Sequence, residues 1–94
     1  MVESIKLDEG KLKWSLLPLE SIQEVIKVLM FGETKYSTDN WKNLKDAKSR
    51  YYDAAMRHLT AWKLGAKTDP ESGLSHLAHA ACCILFMTYF ESKK

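Results

Sequence analysis

The chain is poor in cysteine, and the two cysteines it has are badly placed to stabilise it covalently. Cys82 and Cys83 are adjacent in the 94-residue sequence. Neighbouring positions on a helix point about 100° apart, so these thiols are poorly placed to bridge each other. The first residues show no secretory leader. We therefore expect reduced thiols and a cytoplasmic location.

A strong excess of charge of one sign is also missing. Fourteen basic and twelve acidic residues give a formal net charge of +2. This is too small to predict binding to a nucleic acid polymer, because such proteins present a concentrated basic face. Any site for an anion must therefore be local.

No apolar run is long enough to predict a membrane span. The longest, from Leu77 to Phe90, covers about fourteen residues and contains His79, whereas a membrane helix needs about twenty. The run predicts a buried helix, and no membrane partner is expected. Repeats, low-complexity tracts and signs of a second domain are also missing, so we expect one domain over residues 1–94.

Hydrophobic periodicity predicts an all-α fold, a small three-helix bundle with an extended arm in front of it. Apolar residues recur at helical spacing in three stretches, whereas residues 1–17 show no such period. The arm contains an apolar cluster, Trp14, Leu16 and Leu17, which we expect to pack on the body. The predicted helices run from Leu19 to Phe31, from Leu44 or Asp46 to Leu64, and from Asp69 to about Glu91.

Turn-forming residues set these predicted bounds. Gly32 and Gly65 supply left-handed stops for the first two helices. Asp69 is expected to cap the start of the third helix, with Pro70 in its first turn. A helix start at this point offers free backbone N–H groups to an anion, and Ser72 with the glycine after it allows close approach.

The third predicted helix carries an oligomerisation signal. From Ile84 to Phe90 it is apolar almost all round, and a helix of that kind is normally buried on every side. A three-helix domain cannot cover all of it. We therefore predict a homo-oligomer with this apolar C-terminal helix at the interface.

Histidines offer one candidate metal site. His76 and His79 are three residues apart, Cys83 is four further on, and His58 lies on the facing helix, a set of ligands that suits zinc. The pattern His-x-x-His is common, however, and histidines that hydrogen-bond within a helix seam explain it equally well. We therefore give the zinc interpretation little weight.

Carboxylates offer a second candidate metal site. The candidate magnesium ligands are Glu20, Glu24, Asp53, Asp69 and Glu71. A hydrolase would hold the metal through Glu24 and Asp53, with Glu20 or Glu71 in addition. Magnesium-dependent phosphate hydrolysis needs several converging carboxylates, and the chain offers few. Ion pairs from Asp53 to Arg50 or Arg57 on the helix surface explain the same residues equally well.

Basic and aromatic residues share the same segments of the chain. The candidate phosphate contacts are Lys27, Lys35, Arg50 and Arg57, because arginine presents a planar fork and lysine a point charge. Tyr36 and Trp41 lie in a polar loop and are candidates to stack on a base. The competing interpretation is that these aromatic residues cap the core.

Several short motifs extend this pattern over most of the chain, from Lys13 to Glu91. In order they are Trp14-Ser15-Leu16-Leu17-Pro18, Phe31-Gly32-Glu33-Thr34-Lys35-Tyr36, Asn40-Trp41, Ser49-Arg50-Tyr51, Arg57-His58, Asp69-Pro70-Glu71-Ser72-Gly73 and His76-Leu77-Ala78-His79-Ala80. Together they resemble the N-terminal domain family of dATP/dGTP diphosphohydrolases, which is frequent in phages. The resemblance implies a small α-helical nucleotide-handling domain, and it marks Lys35, Tyr36, Asn40, Trp41, Arg50, Asp53, Arg57, His58, Asp69, Glu71, His76 and His79.

The chain departs from related hydrolases in lacking the paired Glu-x-x-Glu and Glu-x-x-Asp signature of MazG-like enzymes. In size it is similar to small oligomeric phage proteins that sequester nucleotide immune signals. The first hypothesis is therefore an anti-defence sponge: a phage protein that binds a nucleotide-derived ligand, such as a cyclic nucleotide or an ADP-ribose-type signal, without cleaving it and without a cofactor. Its predicted ligand-binding residues are Lys35, Tyr36, Asn40, Trp41, Arg50, Arg57, His58, Ser72, His76 and His79.

Two alternatives remain open. The first is a magnesium-dependent dATP/dGTP diphosphohydrolase that releases pyrophosphate and holds the metal through Glu24 and Asp53. The second is a structural interaction module. In each case we expect a cytoplasmic protein of a phage-infected bacterium.

Overall fold

A computed structural model describes residues 7–93 and confirms the all-α prediction for them. Its three helices are α1, α2 and α3. Short 3-10 turns precede α1 and α2, and within residues 7–93 the only β-type pairing is an isolated antiparallel bridge from Thr68 to Ser75. The helix bounds are Leu19–Lys35 for α1, Ala47–Lys63 for α2 and His76–Ser92 for α3.

The last helix is the centre of the fold. It packs closely along α2 and less extensively on α1, whereas α1 and α2 barely touch each other. Small residues on α3 allow this approach: Ala78 and Cys82 contact Val25 and Val28 in the buried core. The Cys82 thiol donates a hydrogen bond to the Val25 carbonyl at 3.4 Å.

Both cysteines are buried in this seam as free thiols. Burial raises the pKa of Cys82 to about 12, and burial also raises the pKa of Cys83. Because the thiolate is the reactive form, these thiols act as small apolar residues that pack the helices together.

The first helix does not stop at Gly32, and that prediction is wrong. Gly32 has an ordinary helical conformation, and α1 continues for another turn to Lys35, where the Tyr36 N–H donates to the Gly32 carbonyl at 2.9 Å. A glycine inside a helix costs only about 1 kcal/mol, which contacts made by the added turn can offset. The extra turn carries Lys35 to the side of the segment that precedes α3.

The third helix does not begin at Asp69, and this prediction is also wrong. The Asp69 carboxylate instead stabilises a tight turn, because its Oδ2 accepts from the backbone N–H groups of Glu71 at 3.1 Å and Ser72 at 3.0 Å. Gly73 takes a φ of 73° to complete the turn. The true cap is Ser75, whose Oγ accepts from the Ala78 N–H at 3.2 Å. The N–H groups that we expected to be free for an anion are therefore already hydrogen-bonded.

The second helix matches its prediction. It ends at Lys63, and Gly65 follows with a φ of 110°, a conformation that favours glycine.

The prediction that the arm packs on the body is wrong for its apolar cluster. Trp14 and Leu16 are 69% and 79% exposed, so this cluster does not pack on the body.

The described part of the chain is open. Its radius of gyration is 16.5 Å, whereas a compact domain of this length has about 13 Å. No large side chain in this part is fully buried. Within residues 7–93, no helix combines the length and the apolar character needed to cross a membrane.

Candidate functional site

Three histidines meet where α2, α3 and the turn between them come together. His58 lies on α2, and His76 and His79 lie on the first turn of α3. The turn from Asp69 to Gly73 closes the group on a third side. We call His58, His76 and His79, with Asp69 and Ser72, the histidine cluster.

The distances within the cluster are those of direct contact. The Nδ1 atoms of His58 and His76 are 2.9 Å apart. The rings of His58 and His79 stack with centroids 4.5 Å apart and planes 11° from parallel. His76 is buried, and the other two histidines are half-buried.

Ser72 fixes the orientation of His79. Its Oγ lies 2.7 Å from Nε2 of His79 and already accepts a hydrogen from the Leu74 N–H at 3.0 Å. The hydroxyl can therefore donate to Nε2 or accept from it, according to the tautomer of His79.

Burial favours the neutral form of two of the three imidazoles, those of His58 and His79. Burial lowers the pKa of His58, and the neighbouring charges of His79 and His76 lower it further. Burial also lowers the pKa of His79, although the Asp69 carboxylate opposes this. For Asp69, burial acts to raise the pKa, but the Ser72 N–H and the charge of His79 outweigh it, and the pKa is lowered.

The added turn of α1 brings a cation to the edge of the cluster. Lys35 Nζ lies 2.9 Å from a carboxylate oxygen of Glu71, in the turn that Asp69 stabilises. This hydrogen bond to Glu71 raises the pKa of Lys35. The Lys35 ammonium also lies 5.3 Å from the Tyr36 ring centroid, and the Phe31 ring meets His79 edge-on at 6.4 Å.

The arginines of α2 are exposed, and neither forms an ion pair with another residue that the structure describes. No ion pair joins Asp53 to Arg50 or Arg57 anywhere in residues 7–93, contrary to the helix-surface pairing that the spacing allows. The charge of Arg57 is near enough to act on the pKa values of His58 and Cys83. Both guanidinium groups are therefore available to an anion, with Arg57 the nearer to the cluster.

Trp41 lies away from the cluster, in an aromatic group at the other end of α3. Its ring stacks on Phe86 at 4.3 Å and meets Tyr89 edge-on at 4.8 Å. The Tyr51 hydroxyl donates to the Trp41 carbonyl at 3.3 Å. These contacts favour the interpretation that Trp41 caps the core, and contact of Trp41 or the exposed Asn40 with a ligand stays a prediction.

The candidate magnesium ligands lie apart from the cluster's metal-type ligands. Glu24 forms an exposed ion pair with Lys27 at 2.8 Å, and Asp53 is exposed. Among the residues the structure describes, one group of three brings together atoms that could bind a metal ion. It consists of His58, Asp69 and His76.

Helical spacing predicts that the three histidines lie close together, and the structure agrees. The sequence offers Asp69 as a helix cap or a magnesium ligand, whereas the structure places its carboxylate in a turn, beside His58 and His76. The available signal was the turn composition Asp-Pro-Glu-Ser-Gly, which is typical of a side-chain-stabilised turn.

The chain was compared with known proteins. The family model for the N-terminal domain of dATP/dGTP diphosphohydrolases matches residues 3–94. A protein of Salmonella phage PMBT28 named dATP/dGTP diphosphohydrolase is 41% identical over 83 residues, which is 88% of this chain and 28% of that protein. The chain thus spans somewhat more than a quarter of the length of this relative. No solved structure matches.

The family match covers nearly the whole chain, including every residue of the histidine cluster. The chain belongs to the dATP/dGTP diphosphohydrolase N-terminal domain family.

Proposed function

We propose that this chain is the nucleotide-recognising domain of a dATP/dGTP diphosphohydrolase, acting in the cytoplasm of a phage-infected bacterium. The name of the phage relative supports this substrate class. The observation that carries the proposal is the convergence of three imidazoles, a serine hydroxyl and a lysine at one junction. This reverses the order of the two sequence-based hypotheses, because the comparisons favour the hydrolase over a sponge that does not cleave its ligand.

The triphosphate is assigned to the cationic edge of the cluster. Lys35 lies at this edge beside Glu71. The exposed Arg57 adjoins His58 on α2, has no ion-pair partner among residues 7–93, and is assigned to the same phosphates. An arginine fork and a lysine point charge together suit a chain of phosphates. Glu71 holds Lys35 while no ligand is bound, and a phosphate would compete with Glu71 for the ammonium group.

The histidines and Ser72 supply hydrogen-bonding groups beside the phosphates. Neutral imidazoles offer one donor and one acceptor each, and the Ser72 hydroxyl adds a further pair. Such groups suit the polar edge of a base or of the deoxyribose. We assign no proton-transfer role to any of them.

Magnesium does not fit the residues that converge. Magnesium takes oxygen ligands in octahedral geometry, and the residues that the structure describes bring no three carboxylates together. We therefore route no step of the reaction through magnesium at Glu24 and Asp53, and their role as metal ligands stays a prediction.

The test is to incubate the purified chain with each of the four deoxynucleoside triphosphates, with several divalent metals in turn, and to separate the products. We expect dATP and dGTP to bind in preference to the pyrimidine nucleotides. Conversion of the bound nucleotide to a deoxynucleoside monophosphate and pyrophosphate, with one water consumed, would show that the chain also carries the catalytic groups. Intact nucleotide recovered after denaturation would favour recognition or sequestration without cleavage. Failure to bind any nucleotide would favour a structural module and overturn the proposal.

We also propose that a second copy of the chain covers the exposed side of α3. Core contacts with α1 involve Ala78 and Cys82, near the start of α3, and the aromatic group covers one side near its end. Ile84 and Leu85 on the other side are 49% and 53% exposed. Residues 84–90 carry no charge, so two copies of this surface can meet without burying an ion.

Replacing Ile84 with lysine is expected to convert the oligomer to a monomer, because the new ammonium group would be buried without a partner. Light scattering coupled to size-exclusion chromatography measures the change. Leu64→Lys is the matched control, because Leu64 is 83% exposed at the end of α2. A monomeric unsubstituted chain at micromolar concentration would overturn the proposal.

A further inference from the structure

The histidine cluster brings three atoms that could bind a metal ion close together. They belong to His58, Asp69 and His76. One ligand atom from each residue lies within 4.8 Å of the other two. His76 is only 5% exposed, and His58 and Asp69 are half-buried. An ion at this point would be held among packed side chains instead of on an open surface.

The separation of the two imidazoles suits a shared ion. Nδ1 of His58 and Nδ1 of His76 are 2.9 Å apart. Two nitrogen ligands that are each about 2.1 Å from a metal, at right angles, lie about 3 Å apart. A widening of a few tenths of an ångström would give tetrahedral ligands, so little rearrangement is needed for either geometry.

The third ligand is already oriented. Asp69 Oδ2 accepts both backbone hydrogen bonds of its turn, from Glu71 and Ser72. Within residues 7–93, Oδ1 accepts none, which leaves it available. His79 stacks on the His58 ring and fixes its plane. Such supporting contacts orient the ligands of metal sites in proteins.

We propose that His58, Asp69 and His76 form a binding site for a transition metal of the zinc, cobalt or manganese class, and not for magnesium. Two imidazoles and one carboxylate suit these metals, whereas magnesium and calcium prefer oxygen alone. Three protein ligands leave coordination positions open to water or to a phosphate oxygen. Cys83, which its spacing offered as a sulfur ligand, is not part of the group.

This inference stands apart from the proposed function, because metal binding is measured without nucleotide. Chelator-treated protein is titrated with Co²⁺, whose visible absorption reports nitrogen ligands, and with Zn²⁺ by calorimetry. The expected result is one ion per chain with a micromolar or tighter dissociation constant, unchanged by a large excess of Mg²⁺. If nucleotide binding fails and this result holds, only the proposed function is lost.

Asp69→Asn and His58→Gln are expected to weaken metal binding by at least about 10- to 100-fold. Asparagine at position 69 retains the oxygen that stabilises the turn, so the fold should persist, and circular dichroism checks that it does. Asp46→Asn is the matched control, the same substitution at an exposed site before α2, and should leave the affinity unchanged. Displacement of the ion by Mg²⁺, equal effects of the two asparagine variants, or no binding by the folded chain would overturn the proposal.

Discussion

Replacing Trp41 with alanine is expected to lower the free energy of unfolding by about 3 kcal/mol. In a domain of this size, such a loss lowers the melting temperature by roughly 10–20 °C. The reason is that one indole joins the segment before α2 to the end of α3: it stacks on Phe86 and meets Tyr89 and Phe90 edge-on. Removing it leaves these rings without their common partner. The described part of the chain has no fully buried large side chain, so few other contacts can compensate for this loss.

Urea and thermal unfolding monitored by circular dichroism measure this effect, at equal protein concentrations because an oligomer unfolds in a concentration-dependent way. Trp14→Ala is the matched control, since Trp14 is largely exposed in the arm, and its loss should change the stability by less than about 0.5 kcal/mol. Trp41→Phe should retain most of the stability because a ring still stacks on Phe86. Equal melting of the two alanine variants would show that the aromatic group adds little.

The sequence predicted the helices well where local signals and tertiary packing agree. Gly65 follows the end of α2 as expected, in a left-handed conformation that does not continue the helix. At Gly32 the local stop signal was overridden, since the cost of a helical glycine is small and the added turn pairs Lys35 with Glu71. At Asp69 the side chain forms hydrogen bonds to the N–H groups two and three residues ahead, as a cap would, but they close a turn.

The candidate site was predictable only in part. Helical spacing is enough to place His76 and His79 on one turn, facing the helix that carries His58. It cannot give the path of the connecting turn, and therefore could not place the Asp69 carboxylate beside two imidazoles. Trp41 shows the same limit, because a polar loop sequence does not reveal that its aromatic residue packs on a helix far along the chain.

Replacing Lys35 with methionine is expected to weaken the binding of dATP or dGTP by about 10- to 100-fold, the usual effect of losing a hydrogen bond to a charged group. The effect rests on the proposed function. Methionine keeps the length and much of the apolar stem of lysine, and its sulfur can pack on the Phe31 and Tyr36 rings in place of the ammonium group. Isothermal titration calorimetry with each nucleotide measures the change.

Two further variants separate phosphate binding from a structural role of Lys35. If its ammonium group acts only by joining α1 to the turn through Glu71, Glu71→Gln should weaken nucleotide binding as much as Lys35→Met. If it binds phosphate, Glu71→Gln should leave the affinity unchanged or increase it, because the substitution frees the ammonium group and removes a negative charge from the site. Lys27→Met is the matched control on the same helix, since Lys27 pairs with Glu24 away from the cluster. Equal losses of affinity in Lys27→Met and Lys35→Met would show that the effect comes from the change in net charge. Lys35 would then not be a contact of the ligand.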